Sequence, residues 1–121
     1  MISYNAAVWD YFGRSARQPG QTIRGEAGSR EQGVWICFGV DVAGGRLENV
    51  GFRAFACPHI IAACQKVSEM LEGAPVGLLR DLAPEVLQRE FDIPVEKAGK
   101  LLILKDAISA CAAAAEHGQE E

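Results

Sequence analysis

Residues 45–75, GRLENVGFRAFACPHIIAACQKVSEMLEGAP, change from the spacing of a strand to the spacing of a helix at one Cys–Pro pair. Before the pair, four apolar residues continue a strand: Leu47, Val50, Phe52 and Phe55. After it, apolar residues recur at intervals of three and four, the period of an amphipathic helix: Ile60, Ile61, Cys64, Val67, Met70 and Leu71. Pro58 suits the first turn of a helix, because the N–H that proline lacks would have no acceptor there. The sequence therefore predicts that Cys57 lies where a strand ends and a helix begins.

Upstream of this junction the sequence predicts a second strand. Apolar residues alternate with others along it, which places one set on a single face: Val34, Ile36, Phe38, Val40 and Val42. The Ala43-Gly44-Gly45 run suits a tight reversal, so residues 34–56 are predicted to form a hairpin. Residues 13–33 are rich in Gly, Arg, Ser and Gln, and they predict a loop around one weak strand at the Thr22-Ile23 pair.

Helices are predicted on both sides of these strands along the chain. Residues 3–12 have helical spacing, with Ser3 available as the N-cap and Gly13 just past the end. After the helix that follows Cys57, further helices are predicted at residues 76–81, 84–91 and 94–117.

This order of elements, strands followed by helices, predicts an α+β fold. A small three-stranded antiparallel sheet would occupy residues 21–56, with the helices of residues 58–117 packed on one face. A chain of 121 residues fits one such domain, residues 1–121.

Composition excludes several classes of function. The 49% of hydrophobic residues and 23% of charged residues are typical of a folded, soluble chain. A net charge of -4 does not supply the basic surface that nucleic-acid binding requires, and no apolar run approaches the roughly 20 residues that cross a bilayer. The N-terminus does not read as a secretory signal, so we expect a cytoplasmic protein without a membrane or nucleic-acid partner. No phosphate loop, no H-E-x-x-H or G-x-S-x-G motif and no catalytic carboxylate pair is present, so we expect no enzymatic activity.

Four cysteines remain as candidates for chemistry. In a reducing compartment they are expected to be buried thiols, metal ligands or reactive thiols rather than disulfides. Three of them have a neighbourhood that favours packing: Cys37 within a strand, Cys64 among apolar helical residues and Cys111 in an alanine-rich helix.

Cys57 is the strongest candidate for a functional residue. At the start of a helix, unpaired backbone N–H groups and the positive end of the helix dipole favour a thiolate, which is both a nucleophile and a metal ligand. The alternative is a small apolar side chain that fills the corner between strand and helix. His59 would bring an imidazole near the same point, although a Cys-Pro-His sequence is a weak signal.

Three stretches resemble one known family, the iron–sulfur cluster assembly scaffolds of the IscU and NifU N-terminal type. VWDYFGRSARQPG, residues 8–20, resembles the family's opening helix and Pro/Gly turn, and residues 45–75 resemble its strand, cysteine and helix. KAGKLLILKDAISACAAA, residues 97–114, resembles its closing helix. The resemblance implies the family's fold and a role in iron–sulfur cluster assembly. Family members assemble a [2Fe–2S] cluster on three cysteines, and the same ligands can hold zinc.

The resemblance also implies that most of the family's ligands are replaced here. Cys57 corresponds to the middle cysteine, while Glu31 stands in place of the first cysteine and Gly33 in place of a nearby aspartate. At the start of the last helix, Gly99-Lys100 replaces a His-Cys pair, and the family's chaperone-docking loop is reduced to residues 93–97. Iron–sulfur clusters are normally anchored by thiolates, so one thiol is too few for a stable cluster in a monomer.

Three hypotheses for function follow. In the first, the protein is a scaffold or accessory factor that binds iron, zinc or a cluster weakly, through Cys57 with Glu31 and His59 or with a second subunit of a homo-oligomer. In the second, it is a metal-free interaction or regulatory module that docks a cysteine desulfurase or another assembly protein. In the third, Cys57 accepts a persulfide. For the third, the resemblance implies that Lys100 approaches Cys57 and favours the thiolate, with Glu31 completing a charged triplet.

Overall fold

The computed structural model describes residues 4–14 and 18–119, with side chains described as far as Glu116. A three-stranded antiparallel sheet is ordered β1-β2-β3, so β2 is the central strand. In chain order the elements are α1 (Ala6–Phe12), β1 (Ile23–Ser29), β2 (Val34–Ala43), β3 (Arg46–Phe55), α2 (Pro58–Leu71), a 3-10 turn (Val76–Arg80), α3 (Pro84–Glu90), a second 3-10 turn (Val95–Lys97) and α4 (Ala98–Gln119).

One face of the sheet carries the core. Alternate residues of the central strand are fully or almost fully buried, as expected for a strand covered on one side: Val34, Ile36, Phe38 and Val40. Helix α4 covers β1 and β2, helix α2 packs on β3, and α1 packs against α2. The predicted α+β fold is therefore confirmed.

Strand β1 is longer than the weak strand that the sequence predicts. It pairs with β2 along its whole length, from Ile23 opposite Val40 to Ser29 opposite Val34. The glycines of β1 weaken the strand pattern in the sequence, but packing requires them. A Cβ on Gly25 would lie 2.4 Å from the carbonyl oxygen of Ala107 in α4. A side chain at this position would force the helix off the sheet.

Two irregularities of the hairpin decide which of its apolar residues are buried. Phe55, one of the four apolar residues of the predicted strand, is 48% exposed, because Asn49 (φ 52) interrupts the alternation and places Val50, Phe52 and Ala54 on the inner side. A register shift between Gly39 and Asp41 likewise leaves Val42 only half-buried.

Both outer helices begin later than predicted, and α4 ends at residue 119, two residues beyond its predicted end. Helix α1 is capped by Asn5, whose side-chain oxygen accepts a hydrogen bond from the N–H of Val8 at 2.9 Å, while the predicted cap Ser3 lies outside the described residues. Gly13 is the C-cap, at the predicted place. The last helix begins at Ala98, because the chain after Pro94 first makes the second 3-10 turn. In the part of the chain that the structure describes, no helix has the length and apolar character needed to cross a membrane.

Candidate functional site

Cys57 occupies the junction between the sheet and the helices. It follows the end of β3 by two residues and is the N-cap of α2, with extended backbone (φ -77, ψ 166). Its carbonyl oxygen accepts hydrogen bonds from the N–H groups of Ile60 and Ile61, both at 3.0 Å, which closes the first turn of the helix. The side chain makes no capping hydrogen bond and is half-buried, so the thiol is left available for another partner.

That partner is the ammonium group of Lys97. Its Nζ lies 3.6 Å from the Sγ of Cys57 and 3.2 Å from the Nδ1 of His59. Lys97 is only 9% exposed, so its charge depends on these two groups for much of its solvation. An ammonium group only donates hydrogen bonds, so Nδ1 of His59 is the acceptor and Nε2 carries the ring proton. We call Cys57, His59 and Lys97 the junction cluster.

His59 holds the buried side of the junction cluster. Its side chain is fully buried, and its ring meets the Tyr4 ring edge to face with centroids 4.6 Å apart. Burial lowers the pKa of His59, and the charge of Lys97 lowers it further, against a smaller opposing effect of Asp92. The imidazole is therefore neutral at neutral pH. This agrees with its hydrogen bond from Lys97, because a protonated imidazole has no nitrogen that can accept one. Its Nε2 is buried without a hydrogen-bond partner among the described residues.

The cation beside Cys57 is not the one that the sequence predicted. Lys100 is half-exposed and makes no hydrogen bond or ion pair with any described residue, so the prediction that it approaches Cys57 is wrong. Lys97 takes that place because the 3-10 turn after Pro94 brings it into the junction before α4 begins. A proline followed by a lysine three residues on was the only local signal of this turn.

The other predicted site positions lie apart from the junction cluster. Glu31 is exposed in the turn between β1 and β2, so the charged triplet with Cys57 does not form. Gly33 ends the same turn with φ +80, a conformation that favours glycine. Gly99 is exposed in the first turn of α4.

The donor atoms at the junction do not fit an iron–sulfur cluster held by thiolates. No three His, Cys, Asp or Glu side chains in residues 4–14 and 18–116 are grouped so that they could hold a metal ion. Cys57 and His59 share one neighbour, and that neighbour is itself a cation, which would repel a metal ion between them. The predicted set of Cys57, Glu31 and His59 is therefore not brought together as a ligand group.

The remaining cysteines have environments that suppress their chemistry. Cys64 is fully buried in α2, and burial strongly raises the pKa of its thiol. Burial also raises the pKa of Cys111 to about 12, and its thiol donates to the carbonyl oxygen of Phe38 at 3.6 Å. Cys37 is half-buried on the sheet, where burial and then the charge of Glu26 raise its pKa. Cys57 is thus the thiol whose surroundings suit reaction.

Two solved structures share this architecture over most of their length. One, from the thermophile Fervidobacterium islandicum AW-1, is a protein proposed to be an iron–sulfur cluster assembly scaffold for the SUF system. It has a TM-score of 0.73 at 12% identity, over 90% of this chain and 96% of that chain. The other is the N-terminal part of a nitrogen-fixing NifU-like protein from Brucella abortus, with a TM-score of 0.72 at 15% identity, over 93% of this chain and 94% of that chain.

The chain has the fold of an iron–sulfur cluster assembly scaffold. The fold expected from the resemblance of residues 8–20, 45–75 and 97–114 is confirmed. At the level of sequence, no protein-family model matches the chain, and no curated protein matches it. The scaffold fold is thus present with a junction in which one thiol, one imidazole and one buried ammonium group meet.

Proposed function

We propose that the protein is an accessory factor of iron–sulfur cluster assembly that accepts sulfur on Cys57 as a persulfide. The observation that carries this proposal is the pairing of the Cys57 thiol with the Lys97 ammonium group at 3.6 Å, within a scaffold fold. The donor would be a cysteine desulfurase carrying a persulfide. The protein would work in the cytoplasm, where a reducing environment keeps Cys57 free.

The chemistry needs no metal and no added oxidant. The Cys57 thiolate attacks the terminal sulfur of the donor's persulfide, forming a new S–S bond on Cys57. The S–S bond of the donor breaks, and its electron pair leaves with the donor cysteine as a thiolate. The negative charge therefore moves from Cys57 to the donor, and one sulfur atom moves the other way.

Lys97 stabilises the negatively charged sulfur on Cys57 both before and after sulfur transfer. Its ammonium group stabilises the Cys57 thiolate before attack. After attack, the new persulfide gives its proton to the released donor thiolate, and the ammonium group stabilises the resulting persulfide anion, because both anions place negative charge on sulfur close to Nζ. His59, neutral and fully buried, holds the ammonium group from the other side at 3.2 Å. One chain would take up one sulfur without turnover, which is the behaviour of a carrier rather than of an enzyme.

A second candidate is weak binding of iron or zinc, or of a cluster shared between two subunits. It is favoured by the scaffold fold that the chain shares with the two solved structures and by the free thiol of Cys57 at the start of α2. Metal analysis of the protein purified from its own host would support this candidate if iron or zinc is present and is lost in Cys57→Ala.

Sulfur transfer is tested by anaerobic incubation with a cysteine desulfurase and L-cysteine, followed by alkylation and peptide mass spectrometry. We expect one extra sulfur atom on the peptide that contains Cys57 and none in Cys57→Ser. Sulfur that is absent from Cys57, or that is found equally in Cys57→Ser, would contradict the proposal. Stable binding of the desulfurase without sulfur transfer would instead support a metal-free interaction module.

A further inference from the structure

Tyr4, just before the start of α1, lies against the junction cluster. Its ring meets the His59 ring edge to face, with centroids 4.6 Å apart, and the Nζ of Lys97 lies 5.6 Å from the centroid of the Tyr4 ring. The attack of the Cys57 thiolate on a persulfide does not itself involve this ring. The two residues that support Cys57 nevertheless share it as a neighbour.

The ammonium group of Lys97 has few other groups that offset the cost of burying its charge. Lys97 is 9% exposed, and the ion pairs among the described residues do not include it. Its two hydrogen-bond partners, Cys57 and His59, are uncharged until the thiol ionises. The face of an aromatic ring attracts a cation within about 6 Å of its centroid, and more strongly where water is excluded. The Tyr4 ring is therefore a third partner that stabilises the charged form of Lys97.

The neighbours of Tyr4 hold its ring in this place. The Trp9 ring of α1 meets it edge to face, with centroids 5.4 Å apart. Asn5 caps α1 with its side-chain oxygen and donates its side-chain N–H to the carbonyl oxygen of Glu90, the last residue of α3, at 3.0 Å. Val8 of α1 is fully buried. The start of α1 is thus anchored to the other helices, which fixes the ring beside the junction cluster.

We propose that Tyr4 is a positioning residue for sulfur acceptance, whose ring holds the Lys97 ammonium group, in its charged form, beside the Sγ of Cys57. Without the ring, the long side chain of Lys97 gains stability by turning its charge toward water, and the Cys57 thiolate loses part of its stabilisation. This inference rests on the proposed function, because it assigns a further residue to the same sulfur-accepting site.

The ring of Tyr4, rather than its hydroxyl group, carries this role. The hydroxyl group makes no hydrogen bond with any described residue, whereas the ring contacts His59 and Trp9 and faces Lys97. Phenylalanine at this position keeps the ring, and leucine removes it while remaining apolar. Tyr4→Phe and Tyr4→Leu therefore separate the ring from the hydroxyl group.

Alkylation of Cys57 by iodoacetamide at two pH values tests the role of Tyr4. At about pH 7, Tyr4→Leu is expected to slow alkylation roughly three- to fivefold, because less of the thiol is ionised. At about pH 9 an ordinary thiol is mostly ionised without help, so the rate should change less than about twofold. His59, whose pKa is lowered, and Asp92, which acts on it, keep their charge states over this range, so the comparison reports the ionisation of Cys57.

The conservative variant and the pH dependence keep this test decisive. Tyr4→Phe should match the wild-type protein within about twofold at both pH values. Equal slowing of Tyr4→Leu at both pH values, faster alkylation of it at about pH 7, or the same loss in Tyr4→Phe would overturn the role of the ring.

Tyr11→Leu is the matched control for loosening of α1. Tyr11 lies in α1 and is half-buried, its ring meets the buried Phe91 ring edge to face at 5.4 Å, and the Nζ of Lys66 lies 5.8 Å from its centroid. The control should therefore lose about as much stability to urea as Tyr4→Leu, but should change Cys57 alkylation less than about twofold at either pH. Equal slowing in the control would overturn a specific role of Tyr4.

Sulfur transfer separates this inference from the proposed function. With a cysteine desulfurase and L-cysteine at about pH 7, the initial rate of persulfide formation on Cys57 should fall in Tyr4→Leu roughly three- to fivefold, as alkylation does. Undiminished transfer in Tyr4→Leu would leave the proposed function standing and remove the role of Tyr4. Slowed alkylation of Tyr4→Leu without sulfur transfer to the wild-type protein would retain Tyr4 as the residue that positions Lys97 and remove Cys57 as a sulfur acceptor.

Discussion

Helix α2 carries two cysteines seven residues apart that have opposite environments. Cys57 caps its start, half-buried and 3.6 Å from a buried ammonium group, whereas Cys64 is fully buried two turns later. Both belong to the same helix, so the element alone does not decide their chemistry. The N-terminal end of a helix leaves its N–H groups unpaired and admits a partner from another element, while the middle of a packed helix admits only side chains that fill space.

The largest expected difference between the two cysteines is their reactivity. In the native protein, iodoacetamide should modify Cys57 and reach Cys64 only through unfolding, at a rate at least ~1000-fold lower. Peptide mass spectrometry over a time course measures both rates, and in urea they should converge. Comparable rates in the native protein would show that the two environments are not distinct.

Stability should depend on the buried face of the helix rather than on the residue that caps it. Ile60 is fully buried beneath the junction, so Ile60→Ala is expected to lower the free energy of unfolding by about 2–5 kcal/mol. Cys57→Ala removes one sulfur atom from a half-buried position and should cost less than about 1 kcal/mol. Urea denaturation checks both values, and a cost for Cys57→Ala equal to that for Ile60→Ala would assign Cys57 to packing.

The two lysines near the start of α4 give a matched test of the electrostatics. Lys97→Met is expected to slow alkylation of Cys57 at neutral pH by roughly five- to tenfold, because it removes the ammonium group that stabilises the thiolate. Lys100→Met removes the same charge from a half-exposed position and should change the rate less than about twofold. Equal slowing of Cys57 alkylation in both variants would contradict a specific role of Lys97.

The smallest effect is expected in the pH dependence of stability. Unfolding raises the pKa of His59 from its lowered folded value to its ordinary value of about 6.5. As the pH falls through that value, the unfolded chain binds a proton that the folded chain refuses, and stability is lost. Urea midpoints between about pH 7.5 and pH 5.5 should therefore fall in the wild type and fall less in His59→Gln. Identical pH slopes would mean that His59 is not held neutral by the fold.

Strong periodicity made one part of the molecule predictable from the sequence. The hairpin and α2 follow patterns that their own residues carry, and Cys57 was placed correctly because a proline marks the first turn of α2. Strand β1 was underestimated because Gly25 is selected by the approach of α4, a contact with residues more than eighty positions away. Local propensity cannot report such a contact.

Lys97 was not identified from the sequence for a similar reason, because its role depends on a contact between distant parts of the chain. Lys97 is separated from Cys57 by forty positions and reaches it through a 3-10 turn, whose period differs from that of the helix that follows. The helix predicted at residues 94–117 includes this turn, so the prediction did not distinguish the turn from α4. Lys100, chosen from the resemblance, lies one helical turn too far along the chain.

The central claim is that the junction cluster accepts sulfur on one thiol instead of holding a cluster. The most direct measurement is native mass spectrometry after anaerobic incubation with ferrous iron, a cysteine desulfurase and L-cysteine together. We expect one sulfur atom per chain, on Cys57, and no retained iron. A chain that retains iron and sulfide in a form lost in Cys57→Ser would contradict the claim.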